Sequence, residues 1–412
     1  MSKIDELIQK LCPNGVEWKT LEELGVFLGG LTGKSKDDFK DGNANFITYM
    51  NVFSNPGLNL HDDAKVKIAD RENQRRLEYG DIIFTGSSET AEECAYTSVV
   101  CEVPEEDYYL NSFCFILRLY NVNLFNPHFL KHLFRSSNLR NQLAKTANGV
   151  TRFNVSKEKM KKIRIPVPPM EVQCEIVHIL DQFTLLTAEL TAELTARKQQ
   201  YDYYRDELFV FDTKPDSAQL FKIKDICTRI CSGGTPNTSN RKYYDGNIPW
   251  LRTQEVNFGP ITDTDVKITE EGLNASSAKW VNKNAVIVAM YGATVGKVAY
   301  TNIALTTNQA CCNLEIDDKK AVYKYVYYYL ASKYEYIKSL GQGSQTNINA
   351  DIVKNLDIFL PNLEEQQRIV DILDKFDAYC NDLTQGLPAE IELRKQQYEY
   401  YRDKLLSFKE LK

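Results

Sequence analysis

The sequence is poor in histidine, with four in 412 residues, and it has no apolar run approaching the roughly 20 residues that cross a bilayer. Residues 1–6 are polar and lack the apolar core of a signal peptide, so we expect no secretion. Ten cysteines are scattered without a paired CxxC motif. This distribution predicts reduced thiols in a cytoplasmic protein and no zinc site.

Motifs for catalysis are also missing. The stretch from Gly292 to Val298 has three residues between its glycines, where a phosphate-binding loop has four, and a valine in place of Ser/Thr after the lysine. Asn126-Pro127-His128-Phe129 is similar to the Asn-Pro-Pro-Tyr motif of DNA methyltransferases, but the second proline is absent and no glycine-rich cofactor loop lies upstream. A helix that Asn126 caps and Pro127 begins is the better interpretation. We therefore expect a protein without catalytic residues.

Metal and cofactor sites are not predicted either. His128 and His132 are one helical turn apart, which allows a metal pair, but a half-exposed helix face is favoured. The composition, with 43% hydrophobic and 26% charged residues, is that of an ordinary globular protein of two to three domains. A net charge of −6 argues against a uniformly basic DNA-coating protein. DNA binding would require positive charge gathered on one face.

The dominant feature is an internal repeat. RKQQYDYYRDEL at residues 197–208 returns as RKQQYEYYRDKL at 394–405, with ten of twelve positions identical. The match extends upstream, where residues 163–183 align with 356–376 and Asp181 aligns with Asp374. A duplication of this size divides the chain into two halves that end in the same element.

That element is predicted to be a long coiled-coil helix. From Ile176 onward, apolar and aromatic residues recur at alternating steps of four and three. About 39 residues would form a rod of roughly 60 Å. The second copy is four residues longer and contains Gly386 and Pro388, which predict a break there. Since one helix cannot bury its stripe alone, we expect the two copies to pack antiparallel.

The remaining sequence forms two bodies with the same layout. We place domains at residues 1–165 and 212–357, and the helical repeats at 166–211 and 358–412. Each body contains a glycine pair, Gly29-Gly30 or Gly233-Gly234, followed by a polar loop and then short β-branched and aromatic runs typical of strands. Each ends with a helical stretch, 127–143 or 321–339. The prediction is an α+β fold with two β-rich bodies and a pseudo-two-fold pair of long helices.

Polar loops recur at matched places in the two bodies, although any one of them alone is more often an ordinary turn. They combine small donors with Lys, Arg, Asn and Gln, which suit phosphates and base edges. The candidate DNA-binding residues are Lys34, Lys36, Arg75, Arg76, Thr151, Arg152, Asn154, Thr235, Asn237, Arg241, Lys242, Arg252, Thr294, Lys297, Gln345 and Asn347. In the first body, residues 86–91 replace the glycine–lysine loop of the second, so its contacts are harder to assign.

The aromatic ends of the repeats exceed what a two-helix seam can bury. Aromatic residues and arginine are common anchors of protein interfaces. The candidate partner-binding residues are Tyr201, Tyr204, Arg205, Tyr398, Tyr401 and Arg402.

The order of these parts resembles the specificity subunit of Type I restriction–modification systems over essentially the whole chain. The repeats 163–208 and 356–405, the phrases at 232–236 and 292–297 and the glutamine-rich start at 365–370 carry the resemblance. It implies two target recognition domains, each of which reads one half of a split site in double-stranded DNA. It also implies that the helices set the spacing and dock two methyltransferase subunits, which nuclease/translocase subunits then join. The subunit itself would hold no cofactor.

Two rival interpretations remain open at this point. A fused single-chain methyltransferase would need the cofactor loop that is absent here. A coiled-coil scaffold without a DNA role would be compatible with the acidic balance.

Overall fold

A computed structural model describes residues 3–210, 218–341, 347–382 and 384–411. The chain divides into two compact units: unit 1 comprises residues 1–191 and 391–412, and unit 2 comprises residues 192–390. The division falls inside the repeated helices, so each unit contains the beginning of one copy and the end of the other. The body of each unit is therefore attached to segments from both repeats.

Unit 1 is built mainly on antiparallel strands. Its strands are β1 Glu17–Thr20, β2 Gly25–Gly29, β3 Ala44–Ile47, β4 Lys65–Val66, β5 Ile82–Thr85, β6 Ser87–Ser88, β7 Thr97–Val99, β8 Tyr108–Leu110, β9 Cys114–Leu119, β10 Ala147–Asn148, β11 Phe153–Val155 and β12 Arg164–Val167. Its helices are α1 Lys3–Leu11, α2 Leu21–Leu24, α3 Tyr49–Ser54, α4 Pro127–Leu133, α5 Ser137–Ala144, α6 Lys157–Lys161 and the first part of α7 Met170–Leu208.

The central sheet of unit 1 has the order β2-β9-β5-β7. Its middle strands β5 and β9 pair antiparallel from Ile82 opposite Leu117 to Thr85 opposite Cys114. These strands fall in two runs of β-branched and aromatic residues that predict strands, 81–85 and 113–119. Their apolar residues form the core because both faces of the sheet are covered. Smaller sheets have the orders β4-β3-β8, β10-β11-β6 and β1-β12.

Unit 2 repeats this plan with longer strands. Its strands are β13 Gln219–Lys222, β14 Cys227–Ser232, β15 Tyr244–Leu251, β16 Pro260–Ile261, β17 Lys267–Ile268, β18 Trp280–Val281, β19 Val286–Ala289, β20 Val298–Thr301, β21 Leu305–Thr307, β22 Cys311–Ile316 and β23 Asp357–Leu360. Its helices are α8 Glu270–Asn274, α9 Tyr323–Ser332, α10 Tyr334–Ser339, α11 Ala350–Lys354 and α12 Leu363–Asn381, and it also holds the first residues of α13 Leu387–Leu405. The main sheets have the orders β14-β22-β19-β20-β16 and β17-β15-β21-β18.

In both units the backbone at the glycine pair passes very close to the backbone of another segment. A Cβ on Gly30 would lie against the carbonyl oxygen of Asn111, and one on Gly233 would lie against that of Thr307. The following residues complete the match, because the Leu31 amide donates to Leu110 and the Gly234 amide donates to Thr307. Glycine is required at Gly30 and Gly233 by space, since the backbone passes too close for any side chain.

The helical stretch that closes each body is interrupted. In unit 1 it is α4 followed by α5, with Ser136 at the N-cap position of α5. In unit 2 it is α9 followed by α10, with Lys333 between them. Asn126 caps α4 and Pro127 is its first residue, as predicted.

The ends of the repeated helices lie where the sequence predicts them. Helix α7 is one element of 39 residues that begins directly after Pro168-Pro169. The predicted cap at Asn362 is confirmed, because its side chain accepts from the Glu365 amide at 2.8 Å. The second copy breaks between Asn381 and Leu387, which confirms the interruption that Gly386 and Pro388 predict.

Within each unit, segments of the two copies lie side by side. In unit 1 the ring of Phe183 stacks on Tyr401 with centroids 5.3 Å apart. In unit 2 Phe376 lies beside Tyr204 at 6.3 Å, and the Tyr379 hydroxyl, one turn later, reaches Glu193 at 3.4 Å. From Phe376 to Tyr379 the residue number rises in the second copy, while that of the contacted residue falls from Tyr204 to Glu193 in the first copy. The two segments therefore run antiparallel, as predicted.

A buried glutamine ties each body to its helix. The Gln173 amide accepts from the Asn126 backbone at 2.8 Å and donates to Leu124 and Pro168. Gln366 makes the same bonds to Val322, Lys320 and Pro361. Both glutamines have no exposed surface. These matched bonds hold α4 and α9 in the same place on the two copies of the repeat.

Candidate nucleic-acid interface

The first predicted loop of unit 1 lies against the segment that carries the predicted arginines. The Lys34 ammonium donates to the Lys67 carbonyl at 2.6 Å and pairs with Glu72 at 2.5 Å. The bond from Lys34, helped by Gln74, holds the pKa of Glu72 down at about 2. Because only 9% of the Lys34 side chain is exposed, it stabilises this loop and has little surface left for a phosphate.

The other three candidate DNA-binding residues of this region remain accessible. Lys36 and Arg75 are exposed, although Arg75 donates to the Gly29 carbonyl at 3.0 Å. Arg76 pairs with Asp107 at 3.0 Å while 64% of its side chain faces solvent. A surface pair of this kind is weak and can exchange its partner for a phosphate.

The second predicted loop of unit 1 lies against residues 86–89. Strand β11 pairs with β6, so Asn154 is opposite Ser87. Arg152 donates to the Ser87 hydroxyl at 3.2 Å and lies over the ring of Phe113 at 6.0 Å. Thr151, Arg152 and Asn154 are all exposed. The structure therefore brings this loop together with the one whose contacts the sequence left open.

In unit 2 side-chain hydrogen bonds hold the loop after the glycine pair. Thr235 donates to Gln309, and the Asn237 carboxamide accepts from the Ser239 amide at 3.0 Å. Arg241 and Lys242 follow on a 3-10 turn and are exposed. Arg252 is different, because Glu255 and Asp265 each bind its guanidinium at 3.1 Å.

The glycine–lysine loop of unit 2 contacts the segment before the second repeat. Residues Gly292–Thr294 form a 3-10 turn whose first amide donates to the Asn347 side chain at 3.2 Å. Thr294 donates to the Thr253 carbonyl at 2.9 Å, and Lys297 donates to Asn257 at 2.6 Å. The turn leads into β20, which agrees with the prediction that it is not a phosphate loop. Gln345 lies outside the described residues.

Asn154 of unit 1 and Asn347 of unit 2 each precede a matching backbone hydrogen bond. The Val155 amide donates to Gly86 at 2.9 Å, and the Ile348 amide donates to Met290 at 3.0 Å. The two asparagines thus have the same position relative to the strands, while the loops beside them differ in sequence. The two units therefore share the backbone arrangement at this place but differ in the side chains of the neighbouring loops.

The predicted partner-binding residues fall into two groups. Tyr201, Arg205 and Tyr398 are half-buried, and Arg402 is buried with its guanidinium over the Tyr398 ring at 5.6 Å. Burial raises the pKa of Tyr398 to about 12. Tyr204 and Tyr401 are 45% and 39% exposed, as are their neighbours Tyr203 and Tyr400 at 62% each. The exposed set is the one available to another protein.

His132 corrects a prediction. The histidine pair was expected on a half-exposed helix face, yet His132 is 1% exposed. Its ring bridges the Tyr398 hydroxyl and the Asp181 carboxylate at 2.8 Å each, and Lys131 also pairs with Asp181 at 2.8 Å. The helix packs against both copies of the repeat, which a local sequence pattern does not reveal. In unit 2 Tyr328 and Lys324 bind Asp374 in a similar way.

A cleft of about 490 Å³ in unit 1 was missed by the sequence. It is lined by Tyr49, Met50, Phe53, Ser87, Ser88, Glu89, Glu93, Phe113, Thr151 and Arg152. Four separate segments meet here, so no local motif marks it. The one available signal was the loop 86–91, whose Glu89 differs from the lysine of unit 2.

Clusters that could hold a metal ion are absent from the described part of the chain. None of the helices in that part combines the length and apolar character that a bilayer crossing requires. All ten cysteines are free thiols.

Comparison with known proteins gives consistent relatives. The chain is 39% identical over 267 residues to a Type I restriction enzyme specificity subunit of Escherichia coli, an alignment that covers 62% of this chain and 65% of that protein. It is 33% identical over 298 residues to a putative type I restriction enzyme specificity subunit of Haemophilus influenzae, covering 69% of this chain and 72% of the relative. The chain thus spans about two thirds of the length of these relatives.

Solved structures share the fold at low sequence identity. A chain from a structure of type I R-M system assembly has a TM-score of 0.70 at 18% identity, covering 96% of this chain and 98% of its own length. The HsdS subunit from Thermoanaerobacter tengcongensis has a TM-score of 0.51 at 19% identity, covering 96% and 97%. The model of the Type I restriction modification DNA specificity domain matches residues 13–197 and 215–393. Since the two matches cover most of the chain, this protein belongs to the Type I restriction–modification DNA specificity family.

Proposed function

We propose that this chain is the subunit that gives a Type I restriction–modification complex its DNA sequence specificity. Each recognition body reads one half of a bipartite, asymmetric site in double-stranded DNA. The observation that carries the proposal is the duplicated frame with unlike loops: Asn154 and Asn347 occupy matched positions, yet the side chains beside them differ. Two different ligands, one for each body, are what such an arrangement suits.

The DNA-binding surface is proposed from the exposed polar residues of the loops. In unit 1 these are Lys36, Arg75, Arg76, Thr151, Arg152 and Asn154, and in unit 2 they are Thr235, Asn237, Arg241 and Lys242. Arginine and lysine neutralise phosphates, while asparagine and threonine suit base edges. Lys34 and Arg252 are assigned to holding loop shape, because their charged groups are already bound to carboxylates. Thr294, Lys297 and Asn347 are proposed to act through the turn that they hold.

Catalysis is assigned to partner subunits. Two methyltransferase subunits would dock on the repeated helices, where Tyr203, Tyr204, Tyr400 and Tyr401 expose their rings. Nuclease/translocase subunits would then join, in the cytoplasm where the DNA lies. Exposed aromatic residues next to arginine are typical anchors of such interfaces.

A domain exchange tests the proposal. Residues 220–357 are replaced by those of another family member, and the methylated sites of a host genome are mapped with the native methyltransferase present. We expect one half of the bipartite motif to change and the other to stay. A contiguous motif, or a change in both halves, would contradict the proposal.

A further inference from the structure

The cleft of unit 1 lies where unit 2 has its glycine–lysine loop. It contains Ser87, which is opposite Asn154 on the paired strand, and Asn154 matches Asn347 beside the turn of unit 2. The two faces differ in charge at this place: unit 2 presents Lys297, whereas unit 1 presents Glu89 and Glu93. Two carboxylates on a face that is proposed to bind negatively charged DNA must have a specific role there.

The cleft has apolar walls and an accessible rim. Tyr49 stacks on Phe53 with centroids 6.0 Å apart, and the Tyr49 hydroxyl donates to the Ser87 carbonyl at 2.8 Å. Met50 and Phe113 are 60% and 61% exposed at the cleft. Apolar walls that exclude water strengthen a hydrogen bond made beside them.

The carboxylates in this cleft share it with one cation, Arg152, which does not bind them. Glu93 accepts from the Ser88 hydroxyl at 3.0 Å. Arg152 lines the same cleft but donates to Ser87. In the part of the chain that the structure describes, neither Glu89 nor Glu93 forms an ion pair. Two carboxylates that Arg152 does not bind would repel a phosphate placed against them, whereas they suit a ligand that offers hydrogen-bond donors.

In the major groove the donors are the exocyclic amino groups of adenine and cytosine, whereas guanine and thymine present carbonyl acceptors there. We infer that Glu89 and Glu93 make unit 1 select a base with an exocyclic amino group at one position of its half-site. This inference rests on the proposed function and names the base chemistry that the cleft reads. Arg152, at the rim, is left to contact the adjoining phosphate.

The experiment exchanges each carboxylate for its amide. Glu89→Gln and Glu93→Gln keep the shape of the side chain but add a donor, so a guanine or thymine carbonyl becomes acceptable. Glu92→Gln is the matched control, because Glu92 is an exposed glutamate next to Glu93 that does not line the cleft. Each variant is expressed with the native methyltransferase subunit, and methylated sites are mapped across the genome.

We expect Glu89→Gln, Glu93→Gln or both to relax one position of the unit 1 half-site that was adenine or cytosine. Competition binding with the assembled complex should show a preference for the native base that is roughly tenfold lower or more. The base at the relaxed position tells whether adenine or cytosine supplies the amino group. The half-site of unit 2, identified by the domain exchange, should stay unchanged and shows that the variant folds and assembles.

Several results would overturn the inference while leaving the proposed function intact. These are an unchanged motif in both variants, relaxation at a position that was guanine or thymine, and the same relaxation in Glu92→Gln. Loss of methylation at all sites would also overturn it, because the carboxylates would then act in folding or assembly. Absence of any bipartite motif with the native chain would instead overturn the proposed function.

Discussion

At the scale of single residues, two buried glutamine side chains connect each body to its long helix by hydrogen bonds. Gln173 and Gln366 each satisfy one backbone donor and two backbone acceptors from separate segments. A buried polar group left without its partner costs roughly 1–3 kcal/mol. The two glutamines therefore fix the position of each body relative to the long helix that follows it.

Gln173→Leu should loosen unit 1 at this point. The substitution leaves the Asn126 amide and two carbonyl groups without partners, so we expect local stability to fall by about 2 kcal/mol or more. Hydrogen exchange of the amides around residues 124–130 measures the effect, and protection there should drop at least tenfold. Gln366→Leu is the matched control, which should affect residues 320–326 and leave 124–130 as in the native chain. Equal protection in the native chain and Gln173→Leu would contradict this role.

His132 gives unit 1 a dependence on pH. Burial lowers the pKa of His132, with Lys131 adding to the effect and Asp181 opposing it. Burial also lowers the pKa of the adjacent His128. A histidine with a depressed folded pKa stays neutral while the unfolded chain takes up a proton near pH 6.5, so its stabilisation is full above that pH and is lost below it.

We expect the free energy of unfolding of unit 1 to fall between pH 6.5 and 5.5 by up to about 1.4 kcal/mol for each such histidine. His132→Gln keeps a polar side chain but removes this titration, so its pH dependence should be shallower. Denaturant unfolding at pH 7.5, 6.5 and 5.5 compares the two proteins. Asp181 does not interfere in this range, because the hydrogen bonds from His132 and Lys131 outweigh its burial and hold its pKa below the usual value. Parallel pH profiles would contradict the assignment.

At the scale of elements, the sequence predicted what depends on periodicity and repetition. The helix of 39 residues, the cap at Asn362 and the break before Leu387 follow from local rules of spacing, capping and turn formation. The cleft around Glu89 and the buried state of His132 could not be predicted in this way. Each depends on segments that are far apart in the chain, and no local pattern reports such contacts.

The break between α12 and α13 is the element to test. Asp382 accepts from the Thr384 amide and hydroxyl at 2.7 and 2.6 Å, and the Gly386 amide donates to the Asp382 carbonyl at 3.1 Å, so the interruption is a bonded turn. Deleting residues 384–387 removes this turn and the length of about one helical turn, roughly 5.4 Å.

We expect the deletion to weaken binding to the native site and to favour a changed spacing between its half-sites. A panel of DNA duplexes with spacers shortened or lengthened one base pair at a time measures this with the assembled complex. The double change Gln385→Ala and Thr384→Ala keeps the length and serves as the control. If the deletion variant kept the native spacing preference, the length of this segment would not determine the distance between the half-sites.

At the scale of the whole molecule, family membership decides between the interpretations that the sequence left open. Neither a fused methyltransferase nor a scaffold without a DNA role is supported by the relatives or the family model. Under the proposed function, the net charge of −6 constrains how the chain would bind DNA. Affinity must come from a limited set of exposed lysines and arginines, because the average surface repels phosphate.

Salt dependence of DNA binding tests that constraint. The logarithm of the association constant should fall linearly with the logarithm of salt concentration, and each phosphate contact contributes about 0.9 to the slope. Lys242→Ala and Arg241→Ala should each reduce the slope by about 1 and weaken binding to all sequences alike, since a phosphate contact carries no base information. Lys10→Ala, an exposed lysine on α1, should leave the slope unchanged. If both unit 2 variants kept the native slope, these residues would not contact phosphate, and the basic face of unit 2 would have to be sought elsewhere.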